Sequence, residues 1–299
     1  MEELRFEPVT IIPARCVLGE GPVWDGRIGA LWFTDIQQAQ LLRLDWPAGT
    51  LTRYDLPERL GSLGLTANPA RLVCAFASGF AWYDPVTGTR DWIHRTEPEY
   101  RGIRMNDGRV DRAGRFWAGS MVENRALAGT RGGTLYRLDR GDGLPPAQLL
   151  DGIAISNSTA FSPTGDRLYF TDTPTQEIRA FDLDPLTRAI GPGRSFARLS
   201  GAAFPDGSDV DAAGRLWNAE WGSGRVTIYA PDGRIEGQLE LPTSQVTCVA
   251  FGGAALDHLF VTSAREGLSG EQLASEPNAG DLFVYRINAS GLPTPLFLG

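Results

Sequence analysis

Residues 205–217 read Pro-Asp-Gly-Ser-Asp-Val-Asp-Ala-Ala-Gly-Arg-Leu-Trp, two turns that lead into an apolar strand. Residues 106–117 read Asn-Asp-Gly-Arg-Val-Asp-Arg-Ala-Gly-Arg-Phe-Trp and repeat Val, Asp, Gly, Arg and Trp at the same spacing. In this register Asn106 corresponds to Asp206. Such repetition predicts an architecture built from copies of one small unit, because each unit buries its apolar face only against its neighbours.

The same phrase of turn and strand occurs four more times, in residues 21–35, 66–75, 160–172 and 250–262. Each copy is followed by another apolar run and a turn rich in Gly, Pro or Asp, which gives about four short strands per unit. Six such units arranged radially form a β-propeller. We therefore predict an all-β fold, a six-bladed β-propeller with four-stranded antiparallel blades around a central channel, formed by a single domain over residues 1–299. Residues 6–13 are expected to add a strand to the last blade and close the ring.

The composition agrees with this architecture and excludes several partners. A chain of 299 residues is long for one core unless it forms a closed barrel or propeller, and 36 Gly and 20 Pro keep its apolar runs short. The net charge of −8 argues against a nucleic acid or an anionic membrane as partner. We expect a cytoplasmic protein, because no signal peptide or apolar run of about 18 residues is visible. A closed ring without open sheet edges also favours a monomer.

The cysteines Cys16, Cys74 and Cys248 are far apart in the sequence, and none belongs to a CxxC pair. This spacing indicates neither a disulfide framework nor a zinc site. We predict that all three are small apolar side chains of the core.

One repeat position carries polar side chains in four of the six units. Counting back five residues from the residue that opens each second strand gives Glu20, Leu63, Asn106, Asn157, Asp206 and Thr247. Equivalent positions of successive blades form a ring about the propeller axis, so the four carboxylate and amide groups are expected to converge at one mouth of the channel. Each of them taken alone could simply bind the backbone N–H groups of a turn. Converging carboxylates, however, repel one another unless a cation or a proton intervenes. Such oxygen ligands suit a hard divalent ion such as Ca²⁺, Mg²⁺ or Mn²⁺.

The sequence resembles the SMP-30/gluconolactonase/regucalcin-like family of six-bladed propeller lactonases, and the resemblance covers nearly the whole chain. It is carried by Gly-Glu-Gly-Pro-Val-Trp at 19–24, Arg-Met-Asn-Asp-Gly-Arg-Val-Asp at 104–111, Gly-Arg-Phe-Trp-Ala-Gly-Ser-Met at 114–121, Ile-Ser-Asn at 155–157 and Pro-Asp-Gly at 205–207. The stretch 251–268 also looks like the corresponding part of sugar-acid lactonases. One departure is Ser158, which follows Asn157 where the family usually has Gly.

The resemblance implies a metal-dependent hydrolase that opens an aldonolactone, such as a glucono-, xylono- or arabinonolactone, in carbohydrate catabolism. It implies that Glu20, Asn157 and Asp206 bind one divalent ion, with Ca²⁺ expected first and Mg²⁺, Mn²⁺, Zn²⁺ or Fe²⁺ as alternatives. Arg104 and Asn106 are then expected to contact the sugar hydroxyls, together with Glu123, which lies where the family has an acidic substrate contact.

In the mechanism that follows, the metal polarises the lactone carbonyl, a water attacks the carbonyl carbon, and Asp206 accepts the proton. A hydroxide on the metal, with Asp206 only positioning it, is the alternative. Extra chain length in the intervals 106–157 and 157–206 suggests where selectivity resides, and residues 122–133 could form either a lid or an ordinary long turn.

Three other functions remain open from the sequence: a peptide-binding propeller, a calcium-binding regulatory propeller without turnover, and a metal-dependent phosphotriesterase. A serine hydrolase is disfavoured, because the chain has no GxSxG motif and only His94 and His258 could serve as the base.

Overall fold

A computed structural model of the chain describes residues 3–97, 99–184, 186–187 and 189–299. The strands of the first half are β1 (Phe6–Ile12), β2 (Gly19–Asp25), β3 (Ala30–Asp35), β4 (Gln40–Asp45), β5 (Thr50–Asp55), β6 (Leu60–Thr66), β7 (Leu72–Phe76), β8 (Gly79–Asp84), β9 (Thr89–His94), β10 (Ile103–Val110), β11 (Phe116–Val122), β12 (Gly133–Leu138) and β13 (Ala147–Ile153). Those of the second half are β14 (Ser156–Phe161), β15 (Arg167–Asp172), β16 (Glu177–Leu183), β17 (Ile190–Arg198), β18 (Phe204–Val210), β19 (Leu216–Trp221), β20 (Arg225–Tyr229), β21 (Ile235–Glu240), β22 (Val246–Gly252), β23 (His258–Ser263), β24 (Leu282–Ile287) and β25 (Leu296–Phe297). Two short helices, α1 (Arg125–Ala128) and α2 (Gly270–Ser275), lie in connections.

These strands form the six blades of a β-propeller, as predicted. Five blades follow the chain order, namely β2–β5, β6–β9, β10–β13, β14–β17 and β18–β21, and the sixth has the order β1-β24-β23-β22. The first strands of neighbouring blades contact one another, β2 with β6 and β22, and β14 with β10 and β18, so they surround the axis.

Both ends of the chain close the ring. The prediction for residues 6–13 is confirmed, because β1 pairs antiparallel with β24 and places Phe6 opposite Ile287. The sequence did not reveal that β25 pairs in parallel with β6, opposite Leu65 and Thr66, which gives that blade a fifth strand.

The repeated Asp and Trp hold the turn after the first strand in two of the blades. Asp111 accepts hydrogen bonds from the backbone N–H groups of Ala113 and Arg115, and its Oδ2 accepts one from Trp117 Nε1 at 3.0 Å. One hundred residues later Asp211 and Trp217 make the same contact at 3.0 Å. Both indoles are packed between blades and are the largest of the fully buried side chains among the described residues. These aspartates therefore have a structural role.

A β-bulge occurs where the predicted ring of polar residues lies. The pairing register shifts between Glu20 and Val23 in β2, between Met105 and Gly108 in β10, between Asn157 and Ala160 in β14, and between Pro205 and Ser208 in β18. A bulge bends its strand and changes the direction of a side chain, and bulges are frequent next to active sites. The shared bulge is what turns these side chains towards the channel mouth.

The three cysteines are free and buried, as predicted. Within the part of the chain that the structure describes, no helix is both long and apolar enough to cross a membrane.

Candidate active site

A cavity of about 340 Å³ opens at one mouth of the channel. It contains the four polar ring residues and Arg104, together with apolar side chains from the surrounding connections. Its lining comprises Leu18, Glu20, Arg104, Asn106, Met121, Ile155, Asn157, Thr173, Pro174, Phe204, Asp206, Trp221 and Glu266. The structure thus brings together Glu20, Asn106, Asn157 and Asp206 from four different blades.

Leu63 and Thr247, the two ring positions without a carboxylate or amide group, do not line this cavity. Leu63 belongs to a different cavity, which also contains Arg109 and Asp209. In β6 the register shift lies between Leu60 and Ser62, earlier than in the other first strands, so the count of five residues selects a different geometric position there. Thr247 donates a hydrogen bond from Oγ1 to the carbonyl oxygen of Gly19 at 2.5 Å.

Glu20 and Asp206 are both buried and lie within hydrogen-bonding reach of each other. Burial, followed by the charge of the nearby Asp107, raises the pKa of Glu20 to about 8. Burial, followed by the charge of Glu20, raises the pKa of Asp206 well above its ordinary value. Placing two carboxylates together away from water is costly, and a cation or a shared proton relieves that cost.

The oxygen Oδ1 of Asp206 is buried and has no hydrogen-bond partner among the described residues. An unsatisfied buried carboxylate oxygen is rare in proteins and calls for a partner such as a water or an ion. The described residues contain no group of three or more His, Cys, Asp or Glu side chains arranged to hold a metal. A cation here would therefore need the two carboxylates together with an amide oxygen.

Asn157 supplies that amide oxygen in a fixed orientation. Its Nδ2 donates to Thr173 Oγ1 at 2.9 Å, and Thr173 Oγ1 donates to the carbonyl oxygen of Pro205 at 3.0 Å. Asn157 Oδ1 accepts a hydrogen bond from Asn106 Nδ2 at 3.0 Å and so faces the other ring residues. Glu20, Asp206 and Asn157 thus provide an oxygen-only donor set of the kind that hard divalent ions prefer, and the donor chemistry fits such an ion.

Arg104 is buried in the cavity wall and connects the ring to Glu123. Its Nη1 donates to Asn106 Oδ1 at 2.6 Å and to the carbonyl oxygen of Met105 at 3.0 Å. Its Nε donates to Glu123 Oε1 at 2.9 Å. Glu123 itself is not among the residues that line the cavity. The structure therefore shows Glu123 as a partner of Arg104, and direct contact of Glu123 with a substrate stays a prediction.

Two further groups complete the surroundings of Glu123. Arg59 donates from Nη1 and Nη2 to its two oxygens at 2.6 and 2.7 Å, and Tyr100 OH donates to Oε2 at 2.8 Å. Burial opposes ionisation of Glu123, but the hydrogen bonds from Arg59 and the charge of Arg104 lower its pKa to about 2. Arg59 and Tyr100 were missed by the sequence analysis because they lie in connections that do not repeat.

Asp107 is another buried carboxylate that the repeat did not identify. Its Oδ2 accepts a hydrogen bond from the backbone N–H of Thr159 at 2.7 Å, and burial raises its pKa. Its position directly after Asn106 was a usable signal, but only the bulge decides that both side chains face inwards.

Ser158 takes the left-handed conformation that the family's usual Gly would adopt, with φ of 60°. Gly21, which follows Glu20, has φ of 55° at the corresponding place. The Oγ atoms of Ser158 and Ser208 lie 2.6 Å apart in a hydrogen bond, which ties two neighbouring blades behind the ring. The substitution of Gly by Ser thus leaves Asn157 in place.

Neither His94 nor His258 lines the cavity. His258 Nδ1 lies 2.8 Å from Asp257 Oδ1, beside a separate surface pocket that contains Trp24 and Trp46. The cavity therefore offers carboxylates, amides and one guanidinium group for chemistry.

The model of the SMP-30/Gluconolactonase/LRE-like region matches residues 18–265. The L-arabinolactonase of Azospirillum brasilense is 40% identical over 294 residues, covering 95% of this chain and 93% of that protein. The 6-deoxy-6-sulfogluconolactonase of Pseudomonas putida is also 40% identical over 288 residues, covering 95% and 96%. Among solved structures, the calcium-binding protein regucalcin of Agrobacterium tumefaciens str. C58 superimposes with a TM-score of 0.90 at 32% identity, covering 98% of both chains.

Proposed function

The chain belongs to the SMP-30/gluconolactonase/LRE-like family, and on that premise we propose that it is a lactonase that opens the ester ring of a sugar-derived aldonolactone to give the sugar acid. Glucono-, xylono- and arabinonolactones are the candidate substrates, with a role in carbohydrate catabolism. The observation that carries the proposal is the unpartnered Asp206 Oδ1, next to Glu20 and Asn157, in a cavity that also contains hydroxyl-binding groups.

We propose that Glu20, Asn157 and Asp206 hold one divalent cation, with Ca²⁺ as the first candidate because the structurally similar regucalcin is a calcium-binding protein. Bound there, the cation would act as a Lewis acid towards the lactone carbonyl oxygen. The neighbouring Asn106 and Thr173 contribute by fixing the Asn157 amide, so that the ligand oxygen requires no reorientation.

In the proposed reaction Asp206 accepts a proton from the water whose oxygen attacks the carbonyl carbon. The tetrahedral intermediate then expels the ring oxygen, which takes that proton back from Asp206 as the C–O bond breaks, and the product is a hydroxy acid. Arg104 and Asn106 are proposed to bind the sugar hydroxyls, while Glu123 holds the Arg104 guanidinium at a fixed angle through the 2.9 Å hydrogen bond to Nε. Such fixed polar groups orient the substrate without reorganisation during the reaction.

The test is acid release from a panel of aldonolactones by protein that has been treated with EDTA and then supplied with Ca²⁺, Mg²⁺, Mn²⁺, Zn²⁺ or Fe²⁺ in turn. We expect turnover that disappears with EDTA and returns with at least one ion. Absence of metal-dependent turnover on every lactone would refute the lactonase proposal. If the protein still binds Ca²⁺ in that case, the calcium-binding regulatory propeller becomes the better explanation.

A further inference from the structure

The cavity has an acidic side chain at its rim that takes no part in the proposed chemistry. Glu266 lines the cavity and lies in the connection 264–281 between β23 and β24. This is the longest connection at this mouth, against 123–132 between β11 and β12. The spacing of the ring positions could not reveal the length of this connection, because it lies in the last blade and no further ring position follows it in the sequence.

Glu266 is held in position by a chain of hydrogen bonds. Gln37 Nε2 donates to Glu266 Oε1 at 2.6 Å, and Gln37 Oε1 accepts from Arg59 Nη1 at 3.2 Å. Arg59 in turn donates to Glu123 through both Nη atoms. Glu266 Oε2 accepts no hydrogen bond from the described residues and remains available to a ligand in the cavity.

The cations near the mouth are already engaged. Arg104 is the one Arg or Lys among the described residues that line the cavity, and its Nε and Nη1 are hydrogen-bonded to protein oxygens. Arg59 is committed to Glu123 and Gln37. Glu123 receives four hydrogen bonds, which is about the capacity of a carboxylate. Its single charge balances one of the two guanidinium groups, and the charge of Glu266, which also acts on Arg104, balances the other.

An anionic substituent on a substrate would therefore meet Glu266 beside two guanidinium groups whose positive charge is already balanced by Glu123 and Glu266. Moving an anion out of water towards a second anion is unfavourable, and the repulsion is strengthened where the solvent is displaced. A neutral hydroxyl group, in contrast, can donate a hydrogen bond to Glu266 Oε2, and hydrogen bonds to a charged acceptor are stronger than those between neutral groups.

We propose that this site selects an uncharged aldonolactone and that Glu266 is the residue that excludes sulfonated, phosphorylated or carboxylated analogues. The inference rests on the proposed lactonase function and adds the charge class of its substrate. It also separates two relatives to which the chain is equally similar at 40% identity, one named for an arabinolactone and one for a sulfonated gluconolactone. The arrangement of Glu266, Arg59 and Arg104 favours a substrate without a charged group, as in the relative named for an arabinolactone.

The first experiment compares kcat/KM for glucono-1,5-lactone and its 6-deoxy-6-sulfo analogue, using the metal-loaded full chain. We expect a preference of at least about 100-fold for the neutral lactone, which decreases as the salt concentration rises because screening weakens the repulsion. Glu266→Gln keeps an oxygen for Gln37 and should reduce the preference at least about tenfold. Glu271→Gln is the matched control, since it removes the same charge from an exposed position of the same connection and should leave the preference unchanged.

A binding experiment keeps the inference testable if the lactonase proposal fails. The corresponding lactams, with and without the 6-sulfonate, cannot be opened in the same way and report binding alone by calorimetry. The neutral lactam should bind at least about tenfold more tightly, and Glu266→Gln should narrow the difference. Equal or tighter binding of the sulfonated compound, or a difference that Glu266→Gln leaves unchanged, would overturn the role of Glu266 whether or not the lactones are hydrolysed.

Discussion

Two aspartates of the same repeat, Asp206 and Asp211, are both buried and have opposite surroundings. Asp211 accepts hydrogen bonds from the backbone N–H groups of Ala213 and Arg215 at 2.9 Å, from Arg215 Nε at 2.6 Å and from Trp217 Nε1 at 3.0 Å. Asp206 leaves Oδ1 without a partner and lies beside the carboxyl group of Glu20.

The difference shows how a repeated motif separates structure from function. A buried carboxylate that is fully hydrogen-bonded stabilises the fold, whereas one that is left unsatisfied lowers stability and persists where a ligand or a reaction uses it. The same substitution at the two positions should therefore have opposite consequences for activity and for stability.

The largest effect is expected for Asp206→Asn. The amide cannot accept a proton and removes one of the two carboxylates of the proposed ion site, so we expect lactone hydrolysis to fall at least about 1000-fold. Without metal, the variant should be at least as stable as the wild type, because the repulsion with Glu20 is removed. Steady-state kinetics and urea unfolding check the two expectations. Full activity in this variant would show that Asp206 is neither base nor ligand.

The next effect concerns the pH dependence of the metal-free protein. The pKa of Glu20 is about 8 in the folded state and about 4.3 in unfolded chains. Between these values the folded state binds more protons, so the free energy of unfolding falls as the pH rises. Relative to Glu20→Gln, the wild type should lose on the order of several kcal/mol between about pH 5 and 8. Urea unfolding in EDTA at a series of pH values measures this difference, and a pH-independent difference would contradict the raised pKa.

Asp211→Asn is expected to lower the stability of the fold and to leave the activity nearly unchanged, which is the opposite of Asp206→Asn. The amide would turn an N–H group towards Trp217 Nε1 or Arg215, and hydrogen bonds to a buried charge are worth about 1.5 to 3 kcal/mol. The free energy of unfolding should fall by about that amount, while kcat/KM of the folded enzyme stays within about threefold of the wild type. Strong loss of activity without loss of stability would erase the distinction between the two aspartates.

The repeat was sufficient to predict the six blades and the convergence of Glu20, Asn106, Asn157 and Asp206, because both follow from equivalent positions around an axis. The closing strand β1 was predicted from the way in which propellers complete their ring. Leu63 shows where counting fails, since one earlier bulge in β6 displaces the register. Arg59, Tyr100 and Glu266 could not be predicted in this way, because each lies in a connection with its own length and conformation. The ring of the site is therefore a property of the repeated strands, whereas its rim depends on contacts that no repeat encodes.

The smallest expected effect tests the residues behind the ring, where Ser158 and Gly21 both have positive φ. In Ser158→Gly the backbone keeps its left-handed conformation but loses the associated strain, which for a residue with a Cβ is roughly 1 to 2 kcal/mol. The substitution also adds freedom to the unfolded chain, by roughly 0.5 to 1 kcal/mol, and deletes the hydrogen bond to Ser208 Oγ. Because these terms nearly cancel, the free energy of unfolding should change by less than about 1 kcal/mol.

Gly21→Ala is the matched change in the other direction. Its new Cβ would lie 3.5 Å from the Gly61 carbonyl oxygen, which is an ordinary contact. Strain at φ of 55° therefore dominates, and we expect the free energy of unfolding to fall by roughly 1 kcal/mol.

Catalysis by Ser158→Gly should remain within about threefold of the wild type. A tenfold loss would instead mean that Ser158, through Ser208 and the Asn218 amide that donates to the Asp206 carbonyl at 3.1 Å, helps to position the reactive carboxylate. In that event the unsatisfied Asp206 would depend on the satisfied network directly behind it.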